Sequence, residues 1–346
     1  MRRLFTYLTT IFIALIMIAG CQQADNTSET NETATLSKLQ VDQTKPYIGF
    51  AMDTLQDERW YRDKDYFETA LHDLGANVKT LAANGVQEVQ NQQVKLMIEE
   101  GIDVLVIIPA DAEGAKEAVA LAEAADIPVI SYDKMVMNAA IDYYISFDNI
   151  KVGELQATAI LNEVPEGDIA YVGGAPSDNN AHLFREGAMN VLQPKIDDGS
   201  INLVYDNFTE GWSPEVARDN FQSFLNDATV DAVIAANDGT AGGVIEALGD
   251  RRVPISGQDA ELAAIQRIID GTQTMTVYKS LENIANTAAT SAYELAIGNT
   301  IETNQTVNNN LTDVPSILLD PVSVDVSNID ETVIQEGHID PSDLTN

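Results

Sequence analysis

Residues 103–108 read Asp103-Val104-Leu105-Val106-Ile107-Ile108, and Pro109 ends the run. Successive branched apolar residues leave neither face of a strand for water, which is the pattern of an interior strand in a parallel sheet. Proline cannot donate to a ladder, so the strand stops there. Helical periods flank it: Val89, Val94, Met97 and Ile98 mark a helix closed by Gly101, and 115–125 reads as the next. Working outward, strands are predicted over 47–52, 76–81, 127–132 and 143–147. A helix between the first two carries Tyr66, Phe67, Ala70, Leu71 and Leu74 on one face and stops at Gly75. The rhythm then restarts. A helix over 152–161 is followed by strands over 168–172, 201–205, 231–236, 253–256 and 274–278. Helices intervene over 180–192, from the cap pair Ser213-Pro214 to Phe224, over 239–248 and over 261–269, and a last one runs over 281–297. Two rounds of this alternation predict an α/β protein of two doubly wound, Rossmann-like lobes with parallel sheets. In such sheets ligands sit beyond the carboxyl ends of the strands.

The N-terminus reads as an address. Met1-Arg2-Arg3 precedes an apolar stretch over 11–19, and Ile18-Ala19-Gly20-Cys21 closes it. A basic start, a short apolar run and small residues at a cut form the layout of a bacterial secretory signal. The run is too short for a spanning helix, which needs roughly 20 apolar residues. A cysteine directly after the small residues looks like a lipobox. The expectation is a signal peptide over 1–20 and an acylated Cys21, on the outer face of the cell membrane or the periplasmic side. Cys21 is the only cysteine, so no intramolecular disulfide can form. Residues 21–45 are polar and without period, and read as a flexible tether.

Composition narrows the partners. Asp and Glu number 54 against 19 Lys plus Arg, for a net charge of −35. Nucleic acid and anionic surfaces are poor partners for such a chain. One cysteine and three histidines offer little for a transition-metal site. The stretch Asp325 to Asp330, with Glu336 beyond it, faintly resembles a calcium loop. Ile329 occupies a ligand position and Asp330 stands where the loop needs glycine, so no metal is expected.

Polar and aromatic clusters follow the predicted strand ends: Asp53 then Arg59-Trp60; Tyr132-Asp133-Lys134; Ser177 to Asn180; Gly211-Trp212; Asn237-Asp238; Gly257-Gln258-Asp259; and Tyr278-Lys279. They hold amides, carboxylates, cations and both tryptophans. They hold no cysteine nucleophile, His-centred triad or phosphate loop, so a binding protein is expected rather than an enzyme. A sugar hydroxyl both donates and accepts, and wants a carboxylate or amide on one side and a cation or amide on the other. A pyranose also has apolar C–H faces that can lie on indole rings. Trp60 and Trp212 come from different halves and could cover opposite faces of one ring. Their neighbours, Arg59 and Tyr61, Gly211 and Ser213, are poor context for a core position.

Five stretches carry a resemblance: Glu58-Arg59-Trp60, Tyr143 to Asn149, Ser177-Asp178-Asn179-Asn180, Ile255 to Ala260, and Gly271 to Lys279. With them the chain resembles the xylose-binding branch of the ribose- and galactose-binding family of periplasmic binding proteins, over nearly all of 46–338. The resemblance implies that Trp60 and Trp212 sandwich a pyranose. It implies that Arg59, Asn180, Asn237, Asp259 and Lys279 hydrogen-bond its hydroxyls. Asp133 and Lys134 match a loop where the family usually carries an Asp-Arg pair, and a lysine replaces a planar fork by a single point donor. The ligand implied is D-xylose or a close pentose, with ribose, arabinose or glucose as alternatives, and no cofactor. The implied partner of a monomeric chain is an ABC permease; a membrane sensor kinase is the alternative. The resemblance further implies lobes over 46–147 plus 280–314 and 148–279 plus 315–346. Three crossings would join them, near 147–149, 278–280 and 312–316.

Overall fold

The computed structural model describes residues 42–56 and 58–345. The expected signal peptide, Cys21 and the tether up to residue 41 lie outside the described residues. Among the described residues no helix is long and apolar enough to cross a membrane.

The first sheet is built around the apolar run 103–108. Its elements are β1 (Tyr47–Met52), α1 (Glu58–Asp73), β2 (Asn77–Ala82), α2 (Gln87–Glu100), β3 (Val104–Ile107), α3 (Lys116–Glu123), β4 (Val129–Tyr132) and β5 (Tyr143–Phe147). All four residues of β3 are fully buried, as an interior strand requires. One face of the sheet packs Ile48, Phe50, Val104 and Val106 on α1 residues Phe67 and Leu71. The other packs Ala51, Leu105 and Ile107 on Val94 and Met97 of α2 and Val119 of α3. Leu74 and Val89, read as buried helix positions, are exposed. Leu74 falls past the last turn of α1, and Val89 lies in the first turn of α2, ahead of the buried pair Val94 and Met97.

The chain then builds α4 (Asn149–Glu163), β6 (Gly167–Val172), α5 (Asn179–Asp197), β7 (Ile201–Asn207), α6 (Pro214–Phe224), β8 (Ala232–Ala235), α7 (Asp238–Leu248), α8 (Leu262–Ile269) and β9 (Thr276–Tyr278). β7, β6 and β8 form a parallel sheet in that order. The strand expected over 253–256 is reduced to one bridge, Val233 to Ile255. Pro254 has no N–H to give, and only its carbonyl joins the ladder. The segment still carries hydrogen bonds onward, from Thr274 N to Ile255 O and from Val277 N to Gly257 O. α4 and α5 touch backbone to backbone. A Cβ on Gly153 would overlap the Phe184 carbonyl, and one on Gly187 would overlap that of Ile150. That contact fixes where Asn180 and Phe184, at the start of α5, point.

The last elements are α9 (Leu281–Ala296), β10 (Gln305–Asn308), β11 (Asp313–Leu319) and β12 (Val322–Val324). α9 returns to the first sheet, packing Ile284, Ala288 and Ala292 into its core. β11 pairs in parallel with β5, and β10 adds an antiparallel edge, giving a seven-stranded sheet ordered β10-β11-β5-β4-β3-β1-β2. The chain therefore leaves the first sheet later than expected. Ser316 to Leu319 remain paired with β5, and β12 then pairs with β9. Residues 315–319, assigned from the sequence to the second lobe, sit in the first sheet because the ladder holds through Leu319. Beyond β12 the chain makes a short π-helical turn, Asp330–Ile334, with Ile334 N–H donating to Ile329 O and Gln335 N–H to Asp330 O.

Candidate functional site

Loops and helix starts beyond the carboxyl ends of the strands in both large sheets, with the segment after β9, converge on one cavity of about 390 Å³, mouth included, lined by Arg59, Trp60, Asp133, Lys134, Asp178, Asn180, Phe184, Trp212, Asn237, Gln258, Asp259 and Lys279. The nine residues singled out from sequence are all among them.

Arg59 and Trp60 do not sit in a loop after β1, as their place among the strand-end clusters suggested. They form the first turn of α1, which starts at Glu58. Trp60 is only 4 % exposed and joins the core of the first sheet while also lining the cavity. In a helix adjacent residues point about 100° apart, so the polar neighbours Arg59 and Tyr61 carry no information about Trp60. The Arg59 guanidinium lies 4.2 Å from the centre of the Trp60 ring.

Arg59 is the hub of a buried charge network. Nη2 donates to Asp133 Oδ2 at 2.9 Å, Nη1 to Asp259 Oδ1 at 3.2 Å and Nε to Asp63 Oδ2 at 3.4 Å. Asp63 also accepts from the Tyr132 hydroxyl. Burial pushes Asp63 up to about 6 against the pull of Arg59 and Tyr132. Burial acts on Asp133 in the same sense, but Arg59, then Lys279 and Lys134, outweigh it and hold that carboxyl below its ordinary value. Asp133 follows β4 with a left-handed backbone, φ 57°. Its carbonyl takes the Tyr144 and Ser146 hydroxyls and Asn180 Nδ2, which fix the strained turn.

Lys134 Nζ reaches Asp53 Oδ2 at 2.8 Å and Asp178 Oδ2 at 3.3 Å. Burial disfavours its charge, yet Asp178 and Asp53 raise its pKa above the ordinary lysine value. Asp178 does three jobs. Oδ1 caps α5 through the Asn180 N–H at 2.9 Å, while Oδ2 receives Lys134 and the Trp212 Nε1–H, the latter at 3.1 Å. Trp212 is half-buried, at φ 58° after Gly211 at φ 61°. A Cβ on Gly174 would fall inside its ring, and Phe184 meets it edge-on at 6.2 Å. The indole thus lies flat on bare backbone.

Asn237 caps α7, its Oδ1 accepting from Thr240 N at 2.9 Å and Thr240 Oγ1 at 2.8 Å. Its oxygen is occupied, so the NH2 is what it offers the cavity. Lys279, 2 % exposed, sets Nζ 3.3 Å from Asp259 Oδ1. Gln258 is 3 % exposed, and among the described residues its Oε1 has no hydrogen-bond partner. A buried acceptor left unpaired is costly, and this one is open to a donor. Asp178, Phe184 and Gln258 were missing from the residues assigned to the site, although Asp178 and Gln258 stood in the quoted clusters. Gly174 was missed too. Only an aromatic's need for a side-chain-free floor could have pointed to it.

Three cations, Arg59, Lys134 and Lys279, are interleaved with Asp53, Asp63, Asp133, Asp178 and Asp259. A phosphate or carboxylate would meet carboxylates on every side, whereas a neutral polyol can give to the acids and accept from the bases. Among the described residues no group of His, Cys, Asp and Glu is arranged to hold a metal ion.

Beside the cavity mouth, His338 donates Nε2–H to Ala260 O at 3.0 Å, and Arg62 Nη1 lies 3.3 Å from Nδ1. Arginine only donates, so Nδ1 must accept and the ring is neutral. Burial, then the Arg62 charge, lowers its pKa to about 4 from 6.5. The unfolded chain therefore takes up a proton between about pH 6.5 and 4 that the folded chain refuses, and stability is lost as pH falls through that window. From pH 7.5 to 5, urea denaturation should show wild type losing about 2 kcal/mol relative to His338→Asn. A constant difference between the two would contradict the neutral assignment.

An open, mostly parallel sheet with a ligand-sized cavity at its strand ends, shared with a second such sheet, is the architecture of a two-part α/β small-molecule-binding protein. The chain belongs to the periplasmic binding protein family: residues 48–300 match the family model described as periplasmic binding protein domain. It is 49 % identical over 303 residues to the D-xylose-binding periplasmic protein of Escherichia coli, covering 86 % of this chain and 92 % of the relative. Among solved structures it is similar to an ABC transporter solute-binding protein from Clostridium phytofermentans with bound β-D-glucose. The TM-score is 0.83 at 30 % identity, over 86 % of this chain and 100 % of that one. A carbohydrate transporter solute-binding protein from Chloroflexus aurantiacus in complex with D-glucose gives 0.82 at 33 % identity, over 86 % and 97 %. These relatives are binding proteins, not enzymes, and the cavity's residue types agree.

Proposed function

We propose that this protein captures D-xylose, as a pyranose, in the cavity between the two sheets and delivers it to an ABC permease. One observation carries the reading. Donors and acceptors of both charges, with the unpartnered Gln258 Oε1 among them, converge in a neutral-ligand cavity that two indoles from different sheets also line. In this reading the ring stacks on Trp60 and Trp212, and Arg59, Asp133, Lys134, Asn180, Asn237, Asp259 and Lys279 address its hydroxyls. Similarity to a xylose-binding relative at 49 % identity supports the choice of sugar.

The two sheet halves act as lobes, the first comprising 46–147 with 280–319 and the second 148–279 with 320–345. Arg59 to Asp259, Lys134 to Asp178 and Asn180 to Asp133 already link one to the other. A sugar contacting both lobes binds the closed arrangement better and shifts the population toward it. The lipobox reading adds a diacylated Cys21, whose two chains suffice for stable anchoring at the membrane. Tethering there raises the local concentration beside the permease.

Calorimetric titration of the soluble chain from residue 42 with D-xylose, D-ribose, L-arabinose and D-glucose tests the assignment. D-xylose should bind most tightly, and a preference for another sugar, or no binding at all, would refute it.

A further inference from the structure

Asp238 lies behind the cavity rather than in it. It is fully buried, and its carboxylate collects three donors. Gln273 Nε2 donates to Oδ1 at 2.7 Å, while Thr276 Oγ1 at 2.9 Å and the Glu261 N–H at 3.0 Å both donate to Oδ2. Thr276 Oγ1 in turn accepts the Ala260 N–H at 3.2 Å, and Asp238's own N–H donates to Gln258 O at 2.9 Å. One residue thus reaches Gln258, Ala260 and Glu261. A Cβ on Gly257 would overlap Asp238 Oδ1, so the segment can approach only without a side chain there.

The segment so held is strained. Asp259 has φ 95° and Ala260 φ 52°, a region that side-chain-bearing residues avoid unless their surroundings impose it. That unusual turn aims the Asp259 carboxylate at Arg59 and Lys279. We propose that Asp238 is a positioning residue for sugar binding, clamping the 257–261 turn so that Asp259 and Gln258 face the ligand. This rests on the monosaccharide reading of the cavity. The clamp requires an oxygen at both carboxyl positions. An asparagine of the same shape must turn its NH2 toward at least one of the three donors. Gln273 cannot flip to receive it, because its Oε1 already accepts from Arg267 Nε at 2.9 Å.

The test is a double-mutant cycle of Asp238→Asn and Asp259→Asn read by D-xylose calorimetry, together with amide hydrogen exchange on the sugar-free protein. Asp238→Asn should weaken D-xylose binding about tenfold or more, as expected when a buried donor loses its acceptor. Added to Asp259→Asn, it should cost clearly less affinity than it does alone, since part of its effect runs through that residue. A purely structural role would lower thermal stability while the two losses multiplied. Exchange at the Ala260 and Glu261 amides should quicken about tenfold in Asp238→Asn and detectably in the milder Thr276→Val, with α3 unchanged. Multiplying losses, wild-type affinity in Asp238→Asn, or unchanged exchange at both amides would overturn the proposal. If wild type bound no monosaccharide, the ligand reading would fall, and the exchange data would still decide the clamp.

Discussion

Arg59→Ala is expected to cost about 3–5 kcal/mol of folding stability and to abolish measurable D-xylose binding, because it removes one partner from a buried charge cluster. The guanidinium side chain is 11 % exposed, and the three carboxylates it meets are less exposed still. Without it Asp63 keeps the Tyr132 hydroxyl and the more distant Lys279 charge, while Asp133 and Asp259 keep Lys279, Lys134 and Asn180 nearby. Carboxylates left in a dry site must protonate or draw in water, and either outcome disturbs the turn that orients Asp133. Arg59→Lys should recover part of the stability and little of the binding. A point charge can satisfy one carboxylate but cannot fork between Asp133 and Asp259 while lying over the Trp60 ring. Urea denaturation and calorimetry check both statements. A stability loss below about 1 kcal/mol would mean that the network contributes no more than surface ion pairs do.

Trp212→Ala should weaken D-xylose binding about a hundredfold, roughly 3 kcal/mol, with little change in folding stability. The reason for the asymmetry is positional. Trp212 is half-buried at the cavity wall, on the margin of a small core cluster that includes Phe184, and its indole rests on Gly174. Its removal deletes the flat apolar surface and leaves Asp178 Oδ2 with Lys134 as its remaining side-chain partner. Trp212→Phe keeps a ring and loses the Nε1 donor, so it should fall between the two.

Much of this was readable from the chain because two physical rules are strong. An interior parallel strand such as 103–108 is apolar on both faces, and cavity-lining polar groups collect after strand ends, as Asp133, Asn237 and Lys279 do. What escaped has identifiable causes. The helical placement of Arg59 and Trp60 was hidden by the acidic and basic residues of α1, whose apolar period becomes plain only from Tyr66 onward. That residues 315–319 stay in the first sheet was hidden because 313–319 alternates weakly and its pairing with β5 is a long-range choice. Phe184 and Gly174 carry no local signal, since their roles depend on the indole of a residue far along the chain. Asp178 sat in a quoted motif, but a residue that caps a helix, holds an indole and pairs a lysine at once is visible only when all three arrive together.

The central claim is that a pyranose is held between the indoles of Trp60 and Trp212, and its most direct test is D-xylose titration of wild type and Trp212→Ala side by side by calorimetry. The account predicts clear saturable binding to wild type and a curve about a hundredfold weaker in the variant. Equal affinities in the two proteins would contradict it.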